Sequence, residues 1–201
     1  MLDYERRLWA DGYERVAGLD EAGRGCLAGP VVAAAVVMPP TIEIPAIQDS
    51  KSLSEEARLD AREQIEDQAV AHAIARCKPA EIDEINILQA ALKAMRRAAA
   101  ACEPAPDFLL VDGNQWSRTL TDAPWPYETV VKGDATSQSI AAASILAKTE
   151  RDAMMYDLHQ KHPEYGWDTN VGYPTQQHYD AIAEHGATSY HRHSFTLHRD
   201  G

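Results

Sequence analysis

The stretch Val16-Ala-Gly-Leu-Asp20-Glu21-Ala-Gly-Arg-Gly-Cys-Leu-Ala-Gly-Pro30 decides the fold, because an apolar run leads directly into two carboxylates and a glycine-rich turn. Residues 16–19 are typical of a buried β-strand, and Asp20 and Glu21 follow where such a strand ends. Neighbouring side chains in an extended segment point to opposite faces. A turn or twist just afterwards is therefore needed to bring both carboxylates to one divalent ion or to two.

The turn after the acid pair suits close approach of a ligand. Gly23 and Gly25 bracket Arg24, so the backbone is free to take positive φ and presents no Cβ atoms there. Amides exposed in such a loop can hydrogen-bond phosphate or hydroxyl oxygens, and Arg24 adds positive charge. Acids beside an anion-binding loop make chemical sense if a metal ion lies between the carboxylates and a phosphate.

An acid pair before a glycine turn is also common in solvated loops, and the chain holds a second pair for comparison. Asp83-Glu84 lies between two isoleucines with no glycine nearby. Acidic residues suit the start of a helix, where they face the positive end of the helix dipole. We therefore interpret Asp83-Glu84 as a structural helix start.

Composition limits the class of protein. With 201 residues, of which 45% are hydrophobic, the chain can form one α/β core with a small helical appendage. A formal net charge of -12 argues against binding nucleic acid or anionic membranes through charge alone. Any nucleic-acid partner must be held by local basic residues, backbone amides and metal ions.

Three cysteines without CxxC spacing indicate a reducing compartment rather than a disulfide framework. The first residues lack the apolar core of a signal peptide, and no segment approaches transmembrane length. We therefore expect a cytoplasmic protein that does not bind membranes, with a monomer as the default state.

A second apolar run ends in the same way as the first. Phe108-Leu-Leu-Val-Asp112-Gly113 also leads from a strand pattern into an acid and a glycine. The carboxyl ends of adjacent parallel strands line the ligand crevice of open α/β sheets. Asp112 is therefore expected to converge on Asp20, although Asp-Gly is also an ordinary turn signal.

Hydrophobic periodicity predicts the other elements. These are strands at 31–38, 70–77 and 128–131, a helix capped by Ser52 or Ser54, helices at 87–101 and 176–185, and a long helix that follows residues 132–136 and is capped by Asp134 or Thr136. In the long helix Asp152 is a poor interior helix former, and Lys148 four residues before it is the less favourable ion-pair orientation. A functional role for Asp152 is favoured, with a solvent-facing edge as the alternative.

Two aromatic or histidine-rich features of the tail leave alternatives open. Tyr173, between glycine and proline, is either a loop anchor or an exposed ring offered to a sugar or base. His191 and His193 lack the spacing and cysteine partners of a zinc site. Hydrogen bonding and packing are the favoured roles of these histidines.

Taken together, several motifs in series closely resemble ribonuclease HII over residues 16–195. The motifs are Asp20-Glu-Ala-Gly-Arg-Gly25, Val111-Asp-Gly113, Ala143-Ser-Ile-Leu-Ala-Lys-Thr-Glu-Arg-Asp152, Gly172-Tyr-Pro-Thr175 and His191-Arg-His-Ser-Phe195, with residues 49–51 and 84–89 in the same order. The resemblance implies an α/β, ribonuclease H-like fold, in which a mixed five-stranded sheet is flanked by helices. It also implies a catalytic domain at 1–158 and a helical carboxy-terminal extension at 159–201 packed on it.

The resemblance implies endonucleolytic cleavage of RNA in RNA/DNA hybrids and on the 5′ side of ribonucleotides embedded in duplex DNA, leaving 3′-hydroxyl and 5′-phosphate ends. It implies roles in ribonucleotide removal and RNA primer removal. The family's four catalytic, metal-binding acids fall on Asp20, Glu21, Asp112 and Asp152. Oxygen ligands of this kind suit Mg²⁺ or Mn²⁺, and our mechanistic hypothesis has two ions about 4 Å apart that assist an in-line displacement.

Substrate-binding residues are also carried over from the resemblance. They are the loop residues Gly23, Arg24 and Gly25, which are expected to contact the 2′-hydroxyl, then Tyr173 on the neighbouring sugar, and the amines Lys51 and Lys148. Lys51 taken alone is interpreted as a solvated surface amine.

The sequence departs from the family pattern at three positions: Cys26 replaces a frequent proline, and Val171 and His193 replace common basic residues. The last two departures remove positive charge near the substrate path. Arg24 and the short amino terminus favour ribonuclease HII over the related ribonuclease HIII type. A junction resolvase and a non-catalytic hybrid-binding protein are the rival interpretations, and contact with a replication clamp is left open.

Overall fold

The computed structural model describes residues 1–45, 47, 53–116 and 124–198. In these ranges the strands are β1 (Val16–Ala22), β2 (Val31–Val37), β3 (Ala71–Cys77), β4 (Phe108–Asp112) and β5 (Tyr127–Val130). The α-helices are α1 (Asp3–Ala10), α2 (Glu55–Gln68), α3 (Pro79–Ile85), α4 (Ile87–Ala101), α5 (Gln138–Lys161), α6 (Trp167–Asn170) and α7 (Gln176–His185). Lys51 and Ser52, singled out from the sequence, lie outside the described residues.

The strands form one mixed sheet in the order β3-β2-β1-β4-β5. Antiparallel pairing joins β1 to β2 and β2 to β3, whereas β1, β4 and β5 run parallel. This confirms the predicted mixed five-stranded sheet. The register places Leu19 opposite Val111, so Asp20 and Asp112 lie side by side where the parallel pairing of β1 and β4 ends. The acid pair does not follow the strand, because pairing with β2 extends β1 through Asp20 and Glu21 to Ala22.

Helices cover both faces of the sheet. The apolar face of α4, with Met95 and Leu92, packs on one face against Leu19 and Leu109. The alanine-rich first half of α5 packs on the opposite face. A Cβ atom at Gly18 would lie 2.1 Å from the backbone carbonyl carbon of Ser139, so a glycine in β1 is what lets α5 approach the sheet this closely.

The start of α5 differs from the sequence expectation. Residues Gly133–Ala135 form a 3₁₀ turn, so helical geometry begins later and Ser137, rather than Asp134 or Thr136, is the N-cap. The buried carboxylate of Glu5 accepts hydrogen bonds from the Ser137 hydroxyl at 2.6 Å and the Ser139 N–H at 3.0 Å. A negative charge is thereby placed at the positive end of the helix dipole, and α1 is tied to α5.

Asp83 and Glu84 lie at the end of α3 and not at a helix start, so that part of the interpretation is wrong. Lys78 and Pro79 begin the helix instead, because proline suits the first helical turn. The Asp83 carboxylate accepts the backbone N–H groups of His193 and Ser194 at 3.0 and 2.9 Å. It therefore ties α3 to the carboxy-terminal segment.

The carboxy-terminal segment packs on the second half of α5. Met155 of α5 contacts an apolar cluster that includes Tyr165, Trp167 and Ile182. The predicted division between residues 158 and 159 falls inside α5, which runs unbroken to Lys161. None of the described helices is long and apolar enough to cross a membrane.

Candidate active site

Three carboxylates, those of Asp20, Glu21 and Asp112, lie near one another where the pairing of β1 with β4 ends. Asp20 is only 7% exposed, and its carboxylate accepts the Glu21 N–H at 2.7 Å and the Ser144 hydroxyl of α5. The Asp112 carboxylate accepts the Gly133 N–H at 2.7 Å. Strand ends and fixed backbone donors therefore hold Asp20 and Asp112 in place.

The electrostatics of the cluster favour neutralisation. Burial raises the pKa of Asp20 well above its usual value, and the neighbouring charges of Glu21 and Asp112 raise it further. Burial also raises the pKa values of Glu21 and Asp112. Ionised carboxylates at these positions repel one another, and a divalent cation would relieve that repulsion.

Glu21 forms an ion pair with Arg24, with 2.9 Å between Oε1 and Nη1. Both residues line a pocket of about 80 Å³ that also includes Asp112 and Gly113. The pocket gives small ligands access to the edge of the carboxylate cluster. Arg24 thus lies where it can neutralise either Glu21 or an incoming phosphate.

The donor set suits magnesium or manganese. In the part of the chain that the structure describes, no three carboxylate, imidazole or thiolate groups converge closely enough to hold a metal unaided. Mg²⁺ is commonly bound by one or two carboxylates together with waters and substrate phosphates. Asp20 and Asp112, with Glu21 beside them, fit that mode of binding and supply the oxygen ligands that it uses.

The structure does not bring Asp152 to this cluster. Its carboxylate accepts Lys148 Nζ at 2.6 and 2.8 Å, and its charge acts on the pKa of Tyr173. Ser144, which contacts Asp20, precedes Asp152 by eight residues, or about 12 Å along the helix axis. The ion pair forms although lysine four residues before aspartate is the less favourable orientation on a helix.

Asp134 lies where Asp152 was expected. Its N–H donates to the Asp112 carboxylate, and its negative charge raises the pKa of Asp112, although burial has the larger effect. The sequence pattern around Asp134 indicates only a helix cap. The missed signal was its position just after β5, the next parallel strand beside β4.

Two buried arginines hold the loop that follows Glu21. Arg192 donates to the carbonyl oxygens of Gly23 and Arg24 at 2.6 and 2.9 Å, and Arg151 donates to that of Ala28 at 3.2 Å. A Cβ atom at Gly23 would lie 2.0 Å from Arg151 Nε, so the loop needs glycine there. The role of neither arginine can be predicted from the sequence, because nothing local distinguishes a buried arginine from a surface one.

Tyr173 is presented by a well-fixed turn. The residue is 42% exposed, and the Arg151 guanidinium carbon lies 5.9 Å from the ring centroid. Arg151 also donates to the Val171 carbonyl at 2.9 Å, and the Leu27 N–H donates to the Gly172 carbonyl at 2.8 Å. The turn is therefore joined to the glycine loop from two sides.

Buried histidines fix the other side of the same turn. The Thr188 N–H donates to His191 Nδ1 at 3.0 Å, so His191 carries its proton on Nε2 and donates it to His178 Nε2 at 3.2 Å. His178 must then be protonated on Nδ1, which donates to the Tyr173 carbonyl at 3.0 Å. This chain of hydrogen bonds confirms the predicted hydrogen-bonding role for His191 and excludes it as a free metal ligand.

Comparison with known proteins identifies the family. Residues 17–198 match the family model for ribonuclease HII. Ribonuclease HII of Salinibacter ruber is 79% identical over 200 residues, which cover 100% of both chains. The crystal structure of ribonuclease H2 from Pyrococcus horikoshii has a TM-score of 0.76 at 25% identity, and the match covers 91% of this chain and 94% of that one.

A more distant solved structure shares the fold. Bst-RNase HIII in complex with Mn²⁺ gives a TM-score of 0.71 at 20% identity, and the match covers 92% of this chain and 68% of that one. The ribonuclease H-like architecture expected from the sequence is thus confirmed by solved structures. Together with the family model and the full-length relative, it leads to one assignment: the chain belongs to the ribonuclease HII family and is an endoribonuclease of the ribonuclease H type.

Proposed function

We propose that this protein cleaves the RNA strand of RNA/DNA hybrids and the 5′ side of ribonucleotides embedded in duplex DNA. The products would carry 3′-hydroxyl and 5′-phosphate ends. The observation that carries this proposal is the carboxylate cluster of buried Asp20 with half-buried Glu21 and Asp112, beside the loop at residues 23–25, in which Arg24 and Gly25 are exposed. The 79% identity to a ribonuclease HII supports it.

The proposed metal ligands are Asp20, Glu21 and Asp112, with Asp134 rather than Asp152 as the fourth acid. Asp134 is favoured because it lies against Asp112, whereas Asp152 is paired with Lys148. Mg²⁺ or Mn²⁺ bound by these carboxylates would supply Lewis acidity and lower the pKa of a water molecule. The Mn²⁺ complex of Bst-RNase HIII, a protein of the same fold, is consistent with this choice of ion.

The residues of the chain itself supply binding and orientation. Backbone N–H groups in the loop at residues 23–25 would bond the 2′-hydroxyl, the group by which a protein distinguishes RNA from DNA. Tyr173 would stack on the neighbouring sugar, because its ring is exposed while its backbone is held by His178. None of these contacts reads a base, so cleavage is expected to be independent of sequence.

Arg24 and Lys148 would provide local positive charge. Both side chains are partly exposed, at 51% and 39%, and both now pair with an acid, Glu21 and Asp152 respectively. Neutralisation of Glu21 by a bound cation would leave Arg24 available for a phosphate. This local charge explains how a chain with a net charge of -12 can bind nucleic acid. The proposed cellular role is removal of ribonucleotides and RNA primers from DNA.

A cleavage assay on three end-labelled duplexes tests the proposal. The duplexes contain one ribonucleotide in DNA, a full RNA strand against DNA, and DNA only, each with Mg²⁺, with Mn²⁺ or with a chelator. We expect metal-dependent cuts in the first two duplexes, on the 5′ side of the ribonucleotide, and products that a DNA polymerase can extend. Cleavage of the all-DNA duplex would favour a junction resolvase, and binding without cleavage would favour a hybrid-binding protein.

A further inference from the structure

The carbonyl groups of the glycine loop point inward to a single side chain. Arg192 is completely buried, and its guanidinium donates to the carbonyl oxygens of Gly23, Arg24, Gly29 and Pro30 at 2.6 to 3.2 Å. All of its hydrogen bonds in the described part of the chain are to backbone carbonyls. The arginine therefore holds the conformation of the loop rather than balancing an acid.

The inward carbonyls determine where the loop N–H groups point. In a trans peptide, the C=O of one residue and the N–H of the next point in opposite directions. The only cis bond in the described ranges is Glu103–Pro104. Because the carbonyls of Gly23 and Arg24 point to Arg192, the N–H groups of Arg24 and Gly25 point away from it, to the outside of the loop.

The outward side of the loop is open. Within the described residues the N–H groups of Arg24 and Gly25 donate to no protein acceptor, and a Cβ atom at Gly25 would meet nothing within 4 Å. Two successive N–H groups on one exposed side form a small concavity that binds oxygen atoms. This concavity borders the carboxylate cluster through Glu21, which pairs with Arg24.

We propose that Arg192 is a positioning residue for ribonucleotide recognition, because it turns the Arg24 and Gly25 N–H groups outward to meet the ribose 2′-hydroxyl. The inference rests on the proposed function and deepens it. Arg192 itself does not touch the substrate. Its effect is transmitted through two peptide groups whose carbonyls it holds.

Only arginine can make this set of contacts. Its planar guanidinium offers five N–H donors in a fixed fork, whereas a lysine ammonium is a compact point charge on a flexible stem. Burial lowers the pKa of Arg192 to about 10, so the group keeps its charge near neutral pH. A lysine at this position would preserve the charge, but it would not donate to the Gly23 and Arg24 carbonyl oxygens at the same time.

The preference for binding a ribonucleotide-containing duplex over an all-DNA duplex tests the proposal without catalysis. Metal is chelated, and fluorescence anisotropy compares a duplex containing one ribonucleotide with the same duplex in DNA only, for the wild type, Arg192→Lys and Arg192→Gln. We expect both variants to lose preference for the ribonucleotide by about five- to tenfold, the effect of one or two net hydrogen bonds. Affinity for the all-DNA duplex should stay close to that of the wild type.

Two further variants separate positioning from folding. Arg151→Lys alters an equally buried arginine that shares the Pro30 carbonyl with Arg192 but holds Ala28 and Val171 rather than Gly23 and Arg24. The ribonucleotide preference should therefore be retained, even if affinity for both duplexes falls because the turn that carries Tyr173 loosens. Gly25→Pro removes one outward N–H while Arg192 is intact, and should reproduce the loss even if the Arg192 variants fold poorly.

Unchanged preference in folded Arg192 variants, or in Gly25→Pro, would overturn the proposal. An equal loss of preference in Arg151→Lys would also overturn it, because the effect would then be general loosening. If the wild type shows no ribonucleotide preference and no cleavage, the proposed function itself fails, whatever the Arg192 variants do.

Discussion

At the scale of single residues, burial and charge mark the site more sharply than residue type does. Asp20 and Asp83 are both aspartates with backbone donors, yet their environments have opposite effects. Burial and neighbouring acids raise the pKa of Asp20, whereas hydrogen bonds from Ser194 and His193 outweigh burial and lower the pKa of Asp83. A bound cation would therefore favour the ionised form of Asp20. The Asp83 carboxylate already accepts hydrogen bonds from the protein, and its role is structural.

Asp20, Glu21 and Asp112 are candidates from the sequence because each belongs to an apolar strand pattern that leads into acids. Strand β5 is also predicted, at 128–131, but three residues separate its end from Asp134, so the pattern around Asp134 indicates only a helix cap. The contacts of Arg151 and Arg192 could not be predicted for a different reason. Their partners are backbone carbonyls distant in sequence, and no local rule predicts such contacts.

Substitution of Asp134 and of Asp152, one at a time, tests which of the two is the fourth metal-binding acid. Asp134→Asn should reduce cleavage of a single-ribonucleotide duplex by about 100-fold, because it removes a charged oxygen ligand beside Asp112. Asp152→Asn should leave most of the activity, since Asp152 is paired with Lys148. Single-turnover rates at saturating metal give the comparison, and the opposite ranking would restore Asp152 to the metal site.

At the scale of elements, long and strongly periodic segments were predicted well. The predicted helices at 87–101 and 176–185 have the same bounds in the structure, and the strand pattern that begins at Phe108 corresponds to β4. Helix starts were less predictable, because Ser137 rather than Asp134 or Thr136 caps α5. That choice depends on Glu5, a residue more than 130 positions earlier, and on a 3₁₀ turn that follows β5.

The close approach of α5 to β1 predicts a large effect at Gly18. Gly18→Ala should lower the free energy of unfolding by about 2–3 kcal/mol, because the added methyl overlaps the Ser139 backbone and cannot rotate away. Gly25→Ala is the matched control, since a Cβ there meets nothing within 4 Å. Urea denaturation of both variants measures the difference, and equal stabilities would contradict the packing described here.

The buried histidine chain predicts acid sensitivity of the carboxy-terminal segment. Burial lowers the pKa of His191 to about 4 from the usual 6.5. The stabilisation from neutral His191 is therefore complete above pH 6.5 and is lost as the pH falls toward 4, because the unfolded chain binds the proton first. Relative to His191→Gln, wild-type stability should fall by about 2 kcal/mol across this window.

Urea denaturation of both proteins at pH 7, 6, 5 and 4 gives that difference directly. Titrating groups that do not contact His191, including the acid cluster, are common to the two proteins and cancel to first order. A difference that does not change with pH would show that His191 is not held neutral in the folded state.

At the scale of the whole molecule, acidic and basic side chains occupy two different regions of the candidate site. The carboxylates lie at the ends of β1 and β4, and the two buried arginines lie beneath the loop at residues 23–25 and the turn that carries Tyr173. A metal ion on the first region and phosphate and ribose oxygens above the second would be complementary to this arrangement. The mixed sheet and its covering helices could be predicted from sequence. The separation of acidic and basic side chains could not, because it depends on tertiary contacts.

The central claim is that Asp20, Glu21 and Asp112 form a metal site, and metal-dependent thermal unfolding tests it most directly. Mg²⁺ or Mn²⁺ at about 100 times its dissociation constant should stabilise the wild type by about 2.7 kcal/mol. Asp20→Asn should melt at or above the wild-type temperature without metal, since a buried repulsive charge is gone, and should show little further rise with metal. An equal metal-induced rise in the wild type and in Asp20→Asn would contradict the account.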